Sequence, residues 1–244
     1  MKMFDLISLA NKYENSSFYK NDPSQFLKWY SDTKNIETAS FFAAMLAFGN
    51  RKQFIPKIKQ VLQTADETSG NFANWILENA KNFPTGQQKF YRFYSYDDLH
   101  IFFQELAEIL KKSKTFGEYL KNLYEKNKSL HLAEIISQSF PKSKIVPKGK
   151  NSANKRIHMF LRWMVRKNSP VDLGIWNWFS PADLIIPLDV HVLQESIKLG
   201  LLPKNAKPTK KTALELTNKL KIYFPDDPTR ADFSLFGLGV DENK

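Results

Sequence analysis

Asp189 stands alone between apolar neighbours in the run Pro187-Leu188-Asp189-Val190-His191-Val192. Downstream, Val190, Leu193, Ile197 and Leu201 recur at helical spacing, with Gly200 near the end, so Asp189 falls at a helix start. Proline at or just before a first turn pre-sets the backbone for that start. An Asp in this place caps the first-turn N–H groups. The same carboxylate can instead be aimed into a cleft. Lys155 opens another helix, 155–166, whose Ile157, Phe160, Leu161 and Met164 share one face. A cation in a first turn is opposed by the helix dipole. It either has a use there or is exposed and indifferent to a small penalty. The four histidines, His100, His131, His158 and His191, form no pair at metal-ligand spacing. Cysteine is absent, which excludes disulfides, Cys-ligated zinc and a Cys-ligated iron–sulfur cluster. No metal and no cofactor is expected.

Three further stretches carry the charge a polyanion would need. Asn50-Arg51-Lys52 follows an apolar helix closed by Gly49. A buried helix that breaks into a basic loop can meet a phosphate backbone or an opened base pair, but an ordinary helix–helix turn reads the same way. Between Gly86 and Tyr94, aromatic and basic residues interleave (Lys89, Phe90, Tyr91, Arg92, Phe93). Such a mixture suits single-stranded or distorted nucleic acid, where rings stack and cations contact phosphates; it equally suits a core strip with a solvated face. The loop 141–154 holds Lys142, Lys144, Lys148 and Lys150 with no acid, just before Lys155 and Arg156. Free N–H groups at a helix start would add to that charge at a phosphate, although a surface linker has the same composition.

The elements that must position these residues read as helices. Apolar residues recur at helical spacing over 3–13, 23–31, 36–49, 50–62, 71–82, 98–112, 116–127, 129–139, 155–166, 190–201, 208–223 and 231–239. Phe41 to Phe48 is almost wholly apolar, which only a helix buried on most faces tolerates. With few alternating runs and only 9 Gly in 244 residues, the chain reads as all-α. Asp97-Asp98 is expected to cap the helix that follows, and 170–186 to be irregular. The formal net charge is +11, from 36 Lys+Arg against 25 Asp+Glu, and 20 Phe are present. That balance favours a nucleic acid or an acidic membrane surface, and with the aromatics it favours nucleic acid. No run approaches 18 apolar residues and the N-terminal stretch lacks a signal-peptide core, so a cytoplasmic protein with no membrane partner is expected. Nothing in the sequence specifies an oligomeric state.

Pro187-Leu188-Asp189-Val190-His191-Val192, with Lys198-Leu199-Gly200-Leu201 after it, resembles the Pro-Val-Asp-x-His-Val…Arg-Leu-Gly-Leu segment of the helix-hairpin-helix DNA glycosylase superfamily. Endonuclease III, the adenine glycosylase and the 8-oxoguanine glycosylases belong to that superfamily. Ser152-Ala153-Asn154-Lys155-Arg156 resembles the start of the hairpin's second helix, where lyase-active members carry a Schiff-base lysine. The stretch from Thr38 to Lys52 resembles the buried early helix and its DNA-facing loop, and the closing Phe236-Gly237-Leu238-Gly239 resembles the superfamily's last helix. The wording Phe160-Leu161-Arg162-Trp163-Met164-Val165-Arg166 resembles a bacterial family of about this length within that superfamily. Three features depart from the pattern. Lys155 and Asp189 stand 34 residues apart, wider than in endonuclease III but similar to the archaeal 8-oxoguanine branch. The Leu-Pro-Gly-Val-Gly hairpin is replaced by a lysine-rich loop with Gly149, and the cluster cysteines are missing, as in the 8-oxoguanine branch.

The resemblance implies a two-lobed helical bundle of the helix-hairpin-helix glycosylase type spanning residues 1–244, with a DNA cleft between the lobes. It also implies an activity: a DNA glycosylase, with abasic-site lyase chemistry, that excises an altered purine such as 8-oxoguanine from damaged duplex. Breaking an N-glycosidic bond builds positive charge on the sugar, which a carboxylate stabilises electrostatically. Asp189 has that role, and Lys155 that of the nucleophile forming the Schiff base. Asn50, Arg51, Lys52, Lys148, Lys150 and Arg156 are the implied nucleic-acid contacts. The base must first leave the stack, with Trp176 or Phe48 as candidate pocket walls. The alternative is a nucleic-acid-binding protein that keeps the scaffold without the chemistry.

Overall fold

The structure, a computed structural model, describes residues 6–19, 22–149 and 151–241. Helices dominate, in the order α1 (Leu6–Tyr13), α2 (Thr33–Leu46), α3 (Arg51–Ser69), α4 (Phe72–Asn79), α5 (Tyr96–Lys112), α6 (Phe116–Lys126), α7 (Leu132–Ser139), α8 (Lys155–Val165), α9 (Val190–Lys198), α10 (Lys210–Leu220) and α11 (Ala231–Asp241). Short 3-10 turns lie at Ser16–Tyr19, Pro23–Lys28, Pro181–Asp183 and Pro228–Arg230. One small antiparallel hairpin, β1 (Lys89–Tyr91) and β2 (Tyr94–Ser95), sits between α4 and α5. The all-α reading therefore holds apart from this hairpin. The chain divides into two compact units. Residues 21–148 form one, and residues 1–20 with 149–244 form the other.

In the continuous unit, α2 is the centre. Every residue from Glu37 to Leu46 is buried, and α2 packs against α3, α4 and α6. Its buried polar side chains serve neighbouring helices: Asn35 Oδ1 accepts the Ala73 N–H (2.8 Å) and Glu37 Oε2 accepts the Gly117 N–H (2.8 Å). Each thereby satisfies an orphan donor at the start of α4 or α6. Around α2 the Phe content becomes core, with Phe41 against Phe102 and Phe140, and Phe42 against Phe72 and Phe103. Ser95, not the expected Asp97-Asp98 pair, caps α5. Its hydroxyl accepts the Asp98 N–H while Asp98 accepts the Ser95 N–H, a reciprocal capping box. The stretch expected to be helical at 23–31 tightens into the 3-10 turn opened by Asp22-Pro23.

The loop expected as a linker is pinned. Glu105 accepts the N–H groups of Lys142 and Ser143, Ser137 Oγ donates to the Pro147 carbonyl, and Ile145 and Val146 are buried. Lysines exposed by this loop ride on a fixed backbone.

In the discontinuous unit, α11 lies between α1 and α9. Leu6, Ala10, Ile186, Leu188, Val192, Leu216, Leu220 and Leu235 make one apolar cluster. α1 is held from afar: Ser234 Oγ donates to the Leu6 carbonyl, and the Tyr13 ring lies against Gly237, where a Cβ would fall 2.3 Å from the ring. The segment after α8 folds back along its end. Leu173 N–H donates to the Trp163 carbonyl (2.8 Å) and Trp176 N–H to the Met164 carbonyl (2.8 Å), so α8's last carbonyls find partners. That return passes through Gly174, at φ +60.

Candidate functional site

Asp189 and Lys155 are the first residues of two helices in the same unit, and they face each other. Asp189 is the N-cap of α9; its Oδ1 accepts the Val192 N–H at 2.9 Å. Its Oδ2 lies 4.0 Å from Lys155 Nζ, with the two side chains 21% and 30% exposed. One oxygen thus caps while the other meets the amine, and solvent reaches both groups. Lys155 is the first residue of α8, behind Asn154, which takes the left-handed conformation (φ 46, ψ 40) and supplies no side-chain cap. Ser152 Oγ accepts the Asn154 N–H, and the Lys210 N–H donates to the Asn151 carbonyl at 2.9 Å. The approach to Lys155 is therefore tied to the start of α10. Arg156 follows Lys155 in the first turn of α8, partly buried.

Behind this pair is an ionic network that sequence reasoning missed. Arg162 and Arg166, one turn apart on α8, are buried. Arg162 pairs with Asp232 and, at 3.3 Å, with Asp172. Arg166 pairs with Asp172, Asp227 (2.7 Å) and Glu14 (2.9 Å), and Glu14 also accepts from Arg230 (2.8 Å). Both α8 guanidinium groups lie over the Phe233 ring, at 4.4 and 5.3 Å. Buried charges are tolerated only when paired and hydrogen-bonded, and here each arginine has at least two carboxylates. Burial pushes the Asp232 carboxyl up to about 6; Asp189 and Asp172 push the same way, while Arg162 and Lys155 pull against it. Asp232 is thus electrostatically coupled to the Lys155–Asp189 pair. Burial also raises the Glu14 carboxyl, but the Arg166 charge and hydrogen bonds from Ser169, Arg230 and Arg166 outweigh it and leave it below the usual range. The available signal was Arg162 and Arg166 at i and i+4 among the apolar residues Met159, Phe160, Leu161, Trp163, Met164 and Val165. Their partners are scattered along the chain, so no spacing rule finds them.

The continuous unit brings two of the basic stretches together. Asn50 caps α3, accepting the Lys52 N–H at 2.9 Å. Arg51 lies 3.5 Å from the Asp22 carboxylate, and Lys52 is exposed. Just before them, Gly49 holds φ +78 because the hairpin crosses over it: a Cβ there would meet Arg92 Nη1 at 2.6 Å and the Tyr91 hydroxyl at 2.9 Å. Tyr91 donates its hydroxyl to the Phe48 carbonyl, and Arg92 bonds to Tyr91. The Phe48 ring meets Tyr91 (5.1 Å), Phe93 (5.1 Å) and Tyr94 (5.3 Å), with the Arg92 guanidinium 6.0 Å from its centre. Phe93, at the hairpin tip, is 66% exposed. The Asn50–Lys52 turn and the aromatic-basic stretch are thus one surface. Lys148 is exposed in the pinned loop and donates to the Pro141 carbonyl at 2.5 Å. Lys150 lies outside the described residues. Trp176 is buried against Phe160 and stacks on Trp178, which places it in the core, whereas Phe48 is half-buried at the surface.

Among the described residues no group of three or more His, Cys, Asp or Glu is arranged to hold a metal ion, and no helix is long and apolar enough to cross a membrane. The fold and these sites define a predominantly helical protein with a Lys–Asp pair at two helix starts and a separate aromatic-basic surface. The chain belongs to the family described as "Protein of unknown function (DUF2400)", which matches residues 22–241. No curated protein and no solved structure matches it.

Proposed function

We infer that the chain is a DNA glycosylase of the helix-hairpin-helix kind, with abasic-site lyase chemistry, acting on an altered purine such as 8-oxoguanine. One observation carries the reading: Lys155 Nζ lies 4.0 Å from Asp189 Oδ2, both groups open to solvent at the starts of two helices. On this reading the two helical units correspond to the two lobes of a glycosylase-type bundle. The Asp189 carboxylate stabilises positive charge on the deoxyribose as the glycosidic bond lengthens. Lys155 Nζ then attacks C1′ through its lone pair, the ammonium proton passing to solvent. The N–C bond forms as the glycosidic bond breaks, and the base leaves with the bonding pair and takes a proton. The C1′–O4′ bond then breaks, and the nitrogen, having lost a proton to solvent, forms the C1′=N bond with its lone pair. O4′ leaves with the bonding pair and takes a proton from solvent, which opens the ring and leaves a protonated Schiff base. The basic side chains of Arg51, Lys52, Lys148 and Arg156 supply phosphate contacts.

Borohydride reduction of the Schiff base to a stable amine tests this reading. Abasic or 8-oxoguanine duplex should be trapped by the wild type and by Lys148→Ala, and not by Lys155→Ala. Asp189→Asn should keep the helix cap, since Asn caps about as well as Asp, yet slow trapping by roughly 100-fold or more. Equal trapping by Lys155→Ala and Lys148→Ala overturns the assignment.

The second reading, a nucleic-acid-binding protein without the chemistry, draws on the same contact. Asp189 is already engaged by the Val192 N–H and the Lys155 charge, as a purely structural cap and ion pair would be. Salt-dependent binding with no trapping and no cleavage of any damaged duplex marks that outcome.

A further inference from the structure

We propose that the tip of the β1–β2 hairpin is a stacking platform for an unpaired nucleobase, and that it gives this chain a preference for single-stranded or gapped nucleic acid. The proposal rests on surface geometry in the continuous unit and does not depend on chemistry at Lys155; it shares with the proposed function only the nucleic-acid partner.

Phe93 carries the inference. The Phe93 ring is 66% exposed while Tyr91 and Tyr94 on either side of the tip are buried, so the hairpin presents this ring outward. The ring is nonetheless held in place. Phe48 backs it at 5.1 Å with 32° between planes, and Tyr94 meets it edge-on at 4.6 Å. Those contacts brace it and leave an open surface for a further flat ring. The support is rigid in turn. Tyr91 bonds to the Phe48 carbonyl, Arg92 takes the left-handed conformation (φ 52), and Gly49 leaves room for Arg92 to lie across it. A preformed ring of this kind loses little conformational freedom when a base stacks on it.

The surroundings select a nucleic acid over an apolar partner. Arg92 flanks the ring, and Lys52 is exposed on the turn that Arg92 crosses. On its other side Phe93 borders a cleft of ≈ 430 Å³, shared with Gln87, Lys89, Asp98, His100 and Lys144. The cleft wall offers the Gln87 amide, the His100 imidazole and the Asp97 and Asp98 carboxylates, groups that can hydrogen-bond the edge of a base. Lys89 and Lys144 are exposed at this rim but are balanced by Asp97 and Asp98, with Lys144 3.8 Å from Asp98, so the positive charge beside Phe93 comes from Arg92 and Lys52. In a paired duplex the base faces are covered by their neighbours, so only an unpaired or unstacked base can use the ring. Stacking of this sort is sequence-tolerant, because every base presents a π-face.

The test uses the full chain carrying Lys155→Ala, which removes the candidate nucleophile, and undamaged DNA of about 15 nucleotides. Affinity for a labelled single strand, and the fluorescence of 2-aminopurine placed within it, are read at several salt concentrations. Phe93→Ala should weaken single-strand binding roughly 5- to 100-fold and abolish quenching of the 2-aminopurine. Its salt slope should be unchanged, because no charge is lost. Phe93→Trp should restore both affinity and quenching. Arg92→Ala should lower the salt slope by about 0.7, the value for one phosphate contact on a single strand. The melting temperature of Phe93→Ala should stay within about 2 °C of the parent, since the ring is mostly exposed. Three results overturn the platform: Phe93→Ala binding within twofold of the parent, equal affinity for single strand and fully paired duplex, or a homodimer that Phe93→Ala dissolves. Borohydride trapping is blind to all three, so the platform and the glycosylase reading fail separately.

Discussion

The two oxygens of Asp189 do different jobs: one holds the first turn of α9, the other meets Lys155. The sequence supplied Asp189 and Lys155 through their places at helix starts, because proline, capping chemistry and apolar spacing are local signals. Asp232 was hidden. In sequence it is one more acid near a helix N-terminus, and only folding puts it beside Arg162 and within the field of Asp189 and Lys155. Its pH behaviour is testable. Burial, more than the attraction of Arg162, sets its carboxyl at about 6 against an ordinary 3.8. The folded state therefore holds the proton more tightly than the unfolded chain. That contribution to stability is complete below pH 3.8 and is lost as pH rises through about 6. Asp232→Asn should remove this slope. Urea denaturation at pH 4, 5, 6 and 7 should find the variant gaining on the wild type by about 2 kcal/mol across that window. Parallel curves for the two proteins would mean that Asp232 titrates normally. Glu14 has the opposite sign and acts lower: its stabilisation is present above pH 4.5 and fades as pH falls through its depressed value.

Among the elements, helices were legible and the hairpin was not. Helices announce themselves by apolar periodicity and by caps such as Asp32, Asn50, Asn71, Thr115 and Asp189. The hairpin strands are three and two residues long, too short for alternation to register, and their aromatics fit a helical face equally well. Returning backbone was equally hard to read. The segment that covers the end of α8 depends on Gly174, at φ +60, where a Cβ would lie 2.6 Å from the Arg166 carbonyl oxygen and 2.9 Å from Lys167 Cα. Backbone atoms cannot yield as a side chain can. Gly70 ends α3 at φ +74 with nothing within 4 Å. Gly70→Ala should thus cost only the left-handed penalty, about 1 kcal/mol. Gly174→Ala should cost that plus displacement of the return segment, at least 2–3 kcal/mol. Thermal denaturation of the two variants compares them; equal losses would place no weight on the close approach at Gly174.

Across the whole molecule, charge and helical content were readable, while the grouping of segments was not. Residues 1–20 join 149–244 through contacts with no local signature. Glu14 reaches Arg166 and Arg230, and Ser234 reaches the Leu6 carbonyl. Removing residues 1–14 takes away the Glu14 carboxylate and uncovers the apolar cluster at Leu6 and Ala10. Loss of one partner from a buried ion pair alone costs about 3–5 kcal/mol. Hydrogen exchange on the truncated chain should find α9 and α11 opening, with α2 as protected as before; simultaneous opening of α2 would mean that the two units unfold together.

The same arrangement sets an order of events during synthesis. α1 is made before its packing partner α11, which emerges roughly 220 residues later. At about 5–20 residues per second the ribosome takes on the order of 10–45 s to close that gap. Meanwhile the continuous unit has everything it needs to fold. During that interval the nascent chain carries a folded continuous unit after an α1 whose packing partner has not yet been made. Ribosome pausing between α2 and α11 would prolong that exposure, which for α1 ends only when α11 emerges.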